Sequence, residues 1–442
     1  MFTKTKLILT AFFAVLAGQG VSNSASADFL ASVIATGETH SCAGGYNYSL
    51  SKYSLKCWGN NADGRLGIGN TNVSGQLLPS TVQLPPNISV LPDLVAGLRH
   101  TCANITLSDN DEKVLCWGDN TYGQLGDGTT QDRAAPVEVT LPQDVAHISD
   151  LAAGDYHTCV TALREGGGAQ NRSIYCWGLN ENGQLGTGNV GGSFTTPQPV
   201  DMSGMTNARD LTAGAKHTCV GTTEGRVFCW GDNSYGQLGF SSFGNYATPH
   251  LISASSLPPI AIVESEPDSL VDALSAGSDH TCAIVSNQNK SIWCWGRNHF
   301  KQLATNYSGS YQPFPLVNAF GLSDVFELSS GHSHTCAIAF RNNSRRLYCW
   351  GSNADGRAGQ GLPTLLQTSV NPAPVQFNDG FPHSMSVVSA GGRHSCAIEA
   401  GGSDLRGKVW CWGDNSYGQL GDGTLQDRGV AAPVKEFTLS LP

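Results

Sequence analysis

The sequence of 442 residues has few charged residues, few methionines and no block of basic residues. Charged residues make up 14% of the chain, and methionine occurs 4 times. The 35 acidic residues outnumber the 25 basic ones, so the formal net charge is -10. Nucleic-acid binding depends on clustered lysine and arginine that neutralise phosphates. Because no such cluster is present, nucleic acid is excluded as the expected partner.

Long apolar runs are also absent, except near the N-terminus. Lysines at positions 4 and 6 precede an apolar run over 7–17, and small residues at 25–27 form a cleavage site. This is the layout of a secretory signal, and the run is too short to span a bilayer. We therefore expect 1–27 to be a signal peptide and the mature chain, 28–442, to be secreted, periplasmic or extracellular without a membrane span. A retained N-terminal anchor is the alternative.

Helical periodicity is missing, whereas glycine is abundant, with 53 residues in the chain. Turn-forming residues interrupt the chain every 8 to 15 residues, which indicates short β-strands. The pattern G-x-x-H-[ST]-C occurs seven times, and a C-W-G triplet follows each copy after 10 to 17 residues. The period of 54 to 63 residues suits four strands per repeat. The predicted fold class is therefore all-β, a seven-bladed β-propeller of four-stranded antiparallel blades.

Each repeat contains four expected strands, which we name by their residues. A Pro-Val strand comes first, then an apolar strand ending in Ala-Gly, a His strand carrying H-[ST]-C, and a Trp strand ending in C-W-G. The first repeat begins with its apolar strand, Phe29 to Ala35, and the chain ends with a Pro-Val strand, Pro433 to Leu439. We therefore expect the C-terminal strand to complete blade one and close the ring, which would remove free sheet edges. The prediction is a single domain over 28–442.

The fourteen cysteines alternate between the two motifs of the repeat. In blade four, Cys219 and Cys229 flank a short hairpin about Glu224, which places them opposite each other within disulfide range. An exported chain also favours oxidised cysteines. The alternatives are a zinc site or a Cys-His nucleophile, but a fourth zinc ligand is missing and catalysis needs one activated thiol, not seven. We expect seven disulfides, which pair Cys42 with Cys57, Cys102 with Cys116, Cys159 with Cys176, Cys219 with Cys229, Cys282 with Cys294, Cys336 with Cys349, and Cys396 with Cys411.

The repeated histidines and tryptophans are interpreted as structural. Each histidine shares a strand face with its cysteine, and we expect it to bond a neighbouring backbone carbonyl. The tryptophan of each C-W-G is expected to pack between blades. The segment DNTYGQLGDGT at 119–129 has the acidic and glycine content of a calcium loop, but it lacks alternating carboxylates and a terminal bidentate glutamate. We expect Asx turns there instead, and no catalytic residue, metal ion or cofactor in the chain.

The run CWGDNTYGQLGDGTTQDRAAPVEV, followed by LAAGDYHTC, closely resembles the regulator of chromosome condensation repeat family. The resemblance covers Phe29 to Leu439, occurs seven times and implies a seven-bladed propeller. The cysteines depart from the usual eukaryotic pattern and suit an exported branch. The founding member is a guanine-nucleotide exchange factor for a small GTPase, but none of its exchange residues matches a position here. A secreted bacterial member inhibits β-lactamases by covering their active sites, which implies that exported members can bind proteins.

The connections between His and Trp strands vary most in composition, so they carry the candidate partner-binding residues. Tyrosine and arginine are favoured at binding hot spots, and loops on a rigid scaffold are common recognition surfaces. The alternative is that these are solvated hairpin tips. The candidates are Tyr46, Tyr48, Tyr53, Arg164, Arg341, Arg345 and Arg346.

Two blades depart from the D-N-x-Y-G-Q-L-G pattern. Blade five has RNHFKQLA at 297–304, and blade six has GRAG at 356–359. Sequence drift is the simpler explanation. A specialised patch on the face opposite the candidate loops is the alternative, and an exposed Phe300 would favour it.

The sequence as a whole predicts an exported, non-catalytic, monomeric propeller that binds a protein partner, with enzyme inhibition or surface recognition as its task. An exchange factor is the second hypothesis, and a propeller-based hydrolase or lyase is the third. An enzyme would need a convergent cluster of unlike polar residues at one mouth of the channel. The repeats offer equivalent residues instead.

Overall fold

The computed structural model describes residues 29–166, 172–252, 271–286, 290–305, 308–317, 321–361, 368–400 and 407–437. The expected signal peptide, 1–27, lies outside these residues. Within them the chain forms 28 strands in seven four-stranded antiparallel sheets, and the only helical elements are two short 3-10 turns, Ala62–Gly64 and Ala354–Gly356. The predicted all-β, seven-bladed propeller is confirmed.

Each blade consists of four strands that follow one another in the chain, from the apolar strand at the axis to the Pro-Val strand at the periphery. The apolar strands are β1 (Phe29–Thr36), β5 (Ile88–Ala96), β9 (Val145–Ala153), β13 (Ala208–Ala213), β17 (Val271–Ala276), β21 (Ser323–Ser330) and β25 (Met385–Ala390). The His strands are β2 (His40–Asn47), β6 (His100–Leu107), β10 (His157–Arg164), β14 (His217–Thr222), β18 (His280–Val285), β22 (His334–Arg341) and β26 (His394–Glu399). The Trp strands are β3 (Lys52–Asn60), β7 (Glu112–Gly118), β11 (Arg172–Leu179), β15 (Val227–Asp232), β19 (Ser291–Arg297), β23 (Ser344–Ser352) and β27 (Val409–Gly413). The outer Pro-Val strands are β4 (Gly75–Thr81), β8 (Arg133–Glu138), β12 (Ser193–Pro199), β16 (Asn245–Leu251), β20 (Tyr311–Val317), β24 (Thr368–Pro374) and β28 (Arg428–Pro433).

The ring closes between blades seven and one, where the apolar strands β25 and β1 contact each other. The Thr36 backbone N–H donates to the Ser389 hydroxyl at 3.1 Å, and the two hydroxyl groups lie 2.8 Å apart. The Gly392 N–H donates to the Gly37 carbonyl at 3.0 Å. These contacts join the first and last blades directly at the axis.

The expectation that the C-terminal strand completes blade one was wrong. Strand β28 pairs with β27 in blade seven, where Ala432 lies opposite Cys411, and β1 to β4 already complete blade one. The reason is that each Pro-Val strand turns back onto the Trp strand that precedes it in the chain. Of the predicted strand, Pro433 to Leu439, positions 438 and 439 lie outside the described residues.

The C-terminal segment instead contacts blade one through side chains. The Phe437 ring packs edge-on against Phe29 with centroids 5.1 Å apart, and it also contacts Trp58 at 5.7 Å. Lys56 donates to the Glu436 carboxylate at 2.8 Å. Burial of these rings joins the end of the chain to the first blade without a shared sheet.

The hydrophobic core is divided into seven clusters, and each contains residues of two adjacent blades. Between blades three and four, for example, Trp230 packs against Leu185 and Val200. Its indole N–H also donates to the Gln184 carbonyl of blade three at 2.9 Å. All seven C-W-G tryptophans are buried, and the predicted packing between blades is confirmed.

The seven repeated histidines form hydrogen bonds between blades, although not to the backbone carbonyls that we expected. The Nε2 atom of His217 lies 2.9 Å from the Thr281 hydroxyl of the next blade, and that hydroxyl donates to the Gln237 carbonyl at 2.9 Å. Because a hydroxyl has a single hydrogen, histidine must be the donor through Nε2–H. The pairs are His40 with Thr101, His100 with Thr158, His157 with Thr218, His217 with Thr281, His280 with Thr335, His334 with Ser395, and His394 with Ser41.

Seven disulfides each join a His strand to the Trp strand of the same blade. The two cysteines are direct cross-strand neighbours in every blade, with Cα atoms 4.1 Å apart. All fourteen cysteines are buried. The pairs are those expected from the alternation of the motifs, Cys42–Cys57, Cys102–Cys116, Cys159–Cys176, Cys219–Cys229, Cys282–Cys294, Cys336–Cys349 and Cys396–Cys411.

Candidate functional site

The antiparallel order of the strands gives the propeller two distinct faces. The turn face carries the G-x-x-H turns and the loops that follow C-W-G, and the hairpin face carries the connections between His and Trp strands and the links between blades. The repeated histidines, tryptophans and cysteines are all buried in contacts within or between blades. Residues available for a partner are therefore the ones that differ between blades.

Blade one carries three tyrosines at the tip of its hairpin. Tyr46 lies opposite Tyr53 in the register of β2 and β3, and their ring centroids are 5.4 Å apart. Tyr48 packs edge-on against Tyr46 at 5.0 Å and is 54% exposed. Burial raises the pKa of Tyr53, as do the two neighbouring tyrosines. The structure brings these three candidates into one cluster whose outer ring is open to solvent.

Blade six carries three arginines on a tight two-residue hairpin. Asn342 and Asn343 have φ angles of 50° and 58°, the left-handed pair that a type I′ turn requires. Asparagine tolerates this conformation better than most residues. The turn fixes the register, in which Phe340 lies opposite Arg345.

The arginines of blade six differ in their contacts. Arg345 stacks over the Phe326 ring at 4.3 Å and donates to the Met385 carbonyl of blade seven at 3.2 Å. Burial lowers the pKa of Arg345. Arg341 donates to the Pro372 carbonyl at 3.2 Å, whereas Arg346 is exposed. Arg345 thus combines a structural contact with an aromatic stack, and the other two guanidinium groups reach the surface.

Arg164, the remaining candidate, is separate from these groups. It lies on blade three and forms an ion pair with Asp144 of the same face. Its charge is therefore already balanced, and the structure does not place it beside the tyrosines of blade one or the arginines of blade six.

Blade seven adds a cluster that sequence reasoning missed. Phe381 is 71% exposed on the link before β25, and its N–H donates to the Asp379 carboxylate at 3.1 Å. His383 lies 2.8 Å from Asp379 and 2.7 Å from the buried carboxylate of Glu399. The ring of His383 also lies 4.5 Å from that of Trp410. The signal in the sequence was the segment FNDGFPH at 377–383, which has no counterpart in the other repeats.

The mouth of the channel on the turn face also corrects an expectation. The two variable positions of G-x-x-H place unlike residues there, and Glu38, Asp155 and His332 line a depression of about 420 Å³ that includes open solvent. Burial raises the pKa of Asp155 to about 6, and nearby His332 opposes this rise. The channel mouth thus carries unlike polar residues from different blades, so the expectation that the repeats would offer only equivalent residues was wrong here. The two x positions of G-x-x-H were the signal in the sequence.

The loops that resemble calcium sites hold their carboxylates in internal hydrogen bonds. Asp127 accepts from Asn120 at 3.1 Å, from Thr129 at 2.8 Å and from Arg133 at 2.8 Å. Asp422 has the same contacts in blade seven. In the described ranges no group of three or more His, Cys, Asp or Glu residues has the arrangement of a metal site. Asx turns account for the signature.

The departure in blade five does not produce an exposed aromatic residue. Phe300 is half-buried, and its N–H donates to the Gln302 side chain at 3.0 Å, as the tyrosine N–H does in other blades. The condition that favoured a specialised patch at Phe300 is therefore not met.

Comparison with known proteins identifies the family. The profile described as "Regulator of chromosome condensation (RCC1) repeat" matches residues 111–161, 173–220, 224–284, 346–398 and 406–439, more than half of the chain. The chain belongs to the RCC1 repeat family. A second profile of the same description matches 93–124, 148–184, 208–237, 271–302 and 386–419.

Two curated proteins are similar to the chain over most of its length. It is 28% identical over 410 residues to the ultraviolet-B receptor UVR8 of Arabidopsis thaliana, over 92% of this chain and 82% of the receptor. It is 26% identical over 373 residues to the E3 ubiquitin-protein ligase HERC2 of Homo sapiens, over 83% of this chain but only 7% of the ligase.

Two solved structures share the fold. Human WBSCR16 has a TM-score of 0.68 at 20% identity, over 86% of this chain and 92% of that chain. Yeast RCC1 (Prp20), determined bound to Kap60, has a TM-score of 0.68 at 19% identity, over 96% of this chain and 90% of that chain.

Across the residues that the structure describes, no helix has the length and apolarity needed to cross a membrane.

Proposed function

We propose that this member of the RCC1 repeat family is an exported, non-catalytic, monomeric propeller that binds a protein partner through its hairpin face. The binding surface is an arc on the consecutive blades six, seven and one, formed by Phe326, Phe381, Tyr46 and Tyr48, which we call the hairpin arc. The observation that carries this proposal is that aromatic residues outside the repeat pattern are exposed on three adjacent blades, with Tyr48 at a hairpin, Phe381 on a link between blades and Phe326 within β21.

The physical argument for a binding role is one of rigidity and exposure. Aromatic side chains offer a large contact area at low entropic cost when their backbone is already fixed. Tyr48 is 54%, Phe326 52% and Phe381 71% exposed, so each leaves apolar surface in water. A partner that covers these rings gains free energy from apolar burial without reordering the propeller.

Export is supported by the N-terminal layout and by the disulfides. Disulfides persist in oxidising compartments and are rare in the cytosol. Seven buried bridges in one chain would not be expected in a reducing compartment. Expression of the full chain in a secreting host and N-terminal sequencing of the product test this. The expected N-terminus is Asp28; an unprocessed, reduced chain in the cytosol would contradict export and favour the exchange-factor hypothesis.

Binding through the hairpin arc is tested with two matched pairs of tyrosines. The immobilised mature chain is incubated with proteins of the extracellular fraction, and captured proteins are identified by mass spectrometry. Y46A/Y48A should lose the specific partner because it removes the exposed cluster of blade one. The control is Y235A/Y417A, which removes two exposed tyrosines of the turn face. If Y235A/Y417A loses the partner and Y46A/Y48A retains it, the partner binds the turn face and the proposal is wrong.

A further inference from the structure

The arginines of the described residues differ in whether their charge is balanced. Arg133, Arg164 and Arg297 each form an ion pair with an aspartate. None of the ion pairs among the described residues includes Arg341, Arg345 or Arg346. Blade six therefore presents three guanidinium groups without a carboxylate partner on a chain whose net charge is -10.

The register of the hairpin determines how these charges are arranged. Phe340 lies opposite Arg345, and Ala339 lies opposite Arg346. Since cross-strand neighbours and residues two apart share a sheet face, Arg341 and Arg346 lie on one side of the hairpin, and Arg345 lies on the other. The type I′ turn at 342–343 holds the two sides at a fixed spacing. The three charges thus surround one rigid tip.

Exposed aromatic rings lie towards the Arg345 side of the hairpin, the side away from Arg341 and Arg346. Phe326 is 52% exposed beneath the Arg345 guanidinium, and the backbone of Met385 accepts a hydrogen bond from the same arginine. Phe381 precedes Met385 by four residues on the adjacent blade. Asp379 accepts from the Phe381 N–H and contacts His383, so the loop that carries Phe381 is held by hydrogen bonds.

We propose that the tip of the blade-six hairpin binds an acidic protein segment that carries an aromatic side chain. The segment crosses the tip, so that its carboxylates contact Arg341 and Arg346 on one side and its aromatic ring packs against Phe326 on the other. This inference rests on the proposed function and specifies the chemistry of the partner at one part of the same surface.

Charge complementarity and the small extent of the basic patch favour an acidic protein segment over other partners. Arginine presents a planar fork that matches a carboxylate, and unpaired arginines gain more from such a contact than paired ones. The net negative charge of the propeller opposes an acidic partner only weakly at contact, because salt screens charges beyond ~8 Å. A long polyanion would need a continued row of basic residues, whereas the three arginines here are confined to one hairpin.

The test uses three polymers as probes and measures their binding to the mature chain by fluorescence anisotropy. The probes are a random copolymer of glutamate and tyrosine, polyglutamate, and heparin. The copolymer should bind most tightly, since it alone supplies both carboxylates and rings. R341E/R346E should weaken its binding by about tenfold or more, because it replaces attraction with repulsion at the contact. R341Q/R346Q should have a smaller effect in the same direction.

The matched control is R164E, which reverses an arginine of the same face that already has a carboxylate partner. It should change the affinity for the copolymer by less than about twofold. Retained thermal unfolding of each variant shows that it is folded. An equal effect of R164E, equal binding of polyglutamate, or tighter binding of heparin would each overturn the proposal.

Failure of this inference is distinguishable from failure of the proposed function. If the captured partner depends on Tyr46 and Tyr48 but not on Arg341 and Arg346, the hairpin face binds a partner of different chemistry and only this inference fails. If capture depends on none of these four residues, the proposed function fails as well.

Discussion

Thr281 of blade five illustrates how one repeated hydroxyl group bonds to two parts of the preceding blade, its His strand and the loop that follows C-W-G. It accepts from His217 of blade four at 2.9 Å and donates to the Gln237 carbonyl, which also accepts from the Trp295 indole at 2.8 Å. All of these groups are buried. The requirement for threonine or serine at this position therefore comes from two simultaneous hydrogen bonds, and not from strand propensity.

Replacing Thr281 with valine should destabilise the propeller by about 1–3 kcal/mol, because it leaves the His217 donor buried without an acceptor. The measurement is the denaturant midpoint of T281V. The control is T81V, the same change at an exposed position at the end of β4, which should shift the midpoint little. Equal shifts in the two variants would show that the hydroxyl contact contributes no stability.

Asp155 at the channel mouth destabilises the folded state at neutral pH, because burial disfavours its charged form. Burial raises the pKa of Asp155 from 3.8 to about 6. The folded state therefore binds a proton more tightly than the unfolded state, so ionised Asp155 destabilises the fold above pH 6 and this cost disappears as pH falls towards 4. D155N should raise the Tm by about 1–3 °C at pH 7.5 and by much less at pH 4.5. The exposed D109N is the control, and a gain that is equal at both pH values would contradict the assignment.

At the scale of elements, the hairpin of His and Trp strands is the best-specified unit of the sequence. The spacing of Cys219 and Cys229 determined their pairing in advance, because an antiparallel hairpin with a short loop allows only one direct opposition. The partner of His217 could not be obtained in this way. It lies on the next blade, and the sequence contains no information about how far neighbouring sheets are rotated.

The disulfide of blade four provides a test at this scale. C219S/C229S should lower stability by about 2–4 kcal/mol, mainly because the unfolded chain gains freedom when the loop is opened. Since both sulfurs are completely buried, the native chain should resist reduction until it unfolds. The measurement is thiol release in reductant with and without denaturant. Rapid thiol release from the native chain would contradict a closed core.

The outer strands show how the blades avoid edge-to-edge association. Every Pro-Val strand is the outermost strand of its sheet, and proline there removes a donor that could pair with another chain. In blade seven this edge is also covered, because Ala431 exchanges backbone hydrogen bonds with Gln376 and Asn378. The prolines are Pro79, Pro136, Pro197, Pro199, Pro249, Pro313, Pro315, Pro372, Pro374 and Pro433. These prolines support the proposal that the propeller is monomeric.

At the scale of the whole molecule, the sequence predicted the number of blades but not where each blade begins. A repeat has a period without a starting point, so the Pro-Val strand was assigned to the blade that follows it. The family profile also starts away from the blade boundary, since its match over 111–161 begins near the start of β7 and ends within β10 of the next blade. The pairing of β28 with β27 resolves the choice, because hydrogen bonds define a sheet and sequence order does not.

The histidine ring should make the whole molecule sensitive to acid. Burial lowers the pKa of His100, His217 and His394 to about 4 and that of His157 and His280 to about 3, and it lowers those of His40 and His334 well below 6.5. The folded state therefore binds fewer protons than the unfolded state below pH 6.5, and each histidine lowers stability by about 1.4 kcal/mol per pH unit until its folded pKa is reached. We expect a steep, cooperative loss of stability between pH 6.5 and 4.

Proton uptake on unfolding measures this effect. H217Q should reduce the pH dependence of the unfolding free energy by about one proton, because it removes one buried titrating group. The exposed H250Q should leave it unchanged. Stability that is constant between pH 6.5 and 4 would show that the histidines are not held neutral.

The most direct test of the account is to determine which face of the ring meets a partner. A photo-crosslinking phenylalanine analogue is placed at Phe381 or Tyr48 on the hairpin face, and at Tyr235 or Tyr417 on the turn face, and each chain is irradiated with the extracellular fraction. We predict crosslinks to one and the same protein from both hairpin-face positions and none from the turn face. Crosslinks confined to Tyr235 and Tyr417 would contradict the assignment of binding to the hairpin arc.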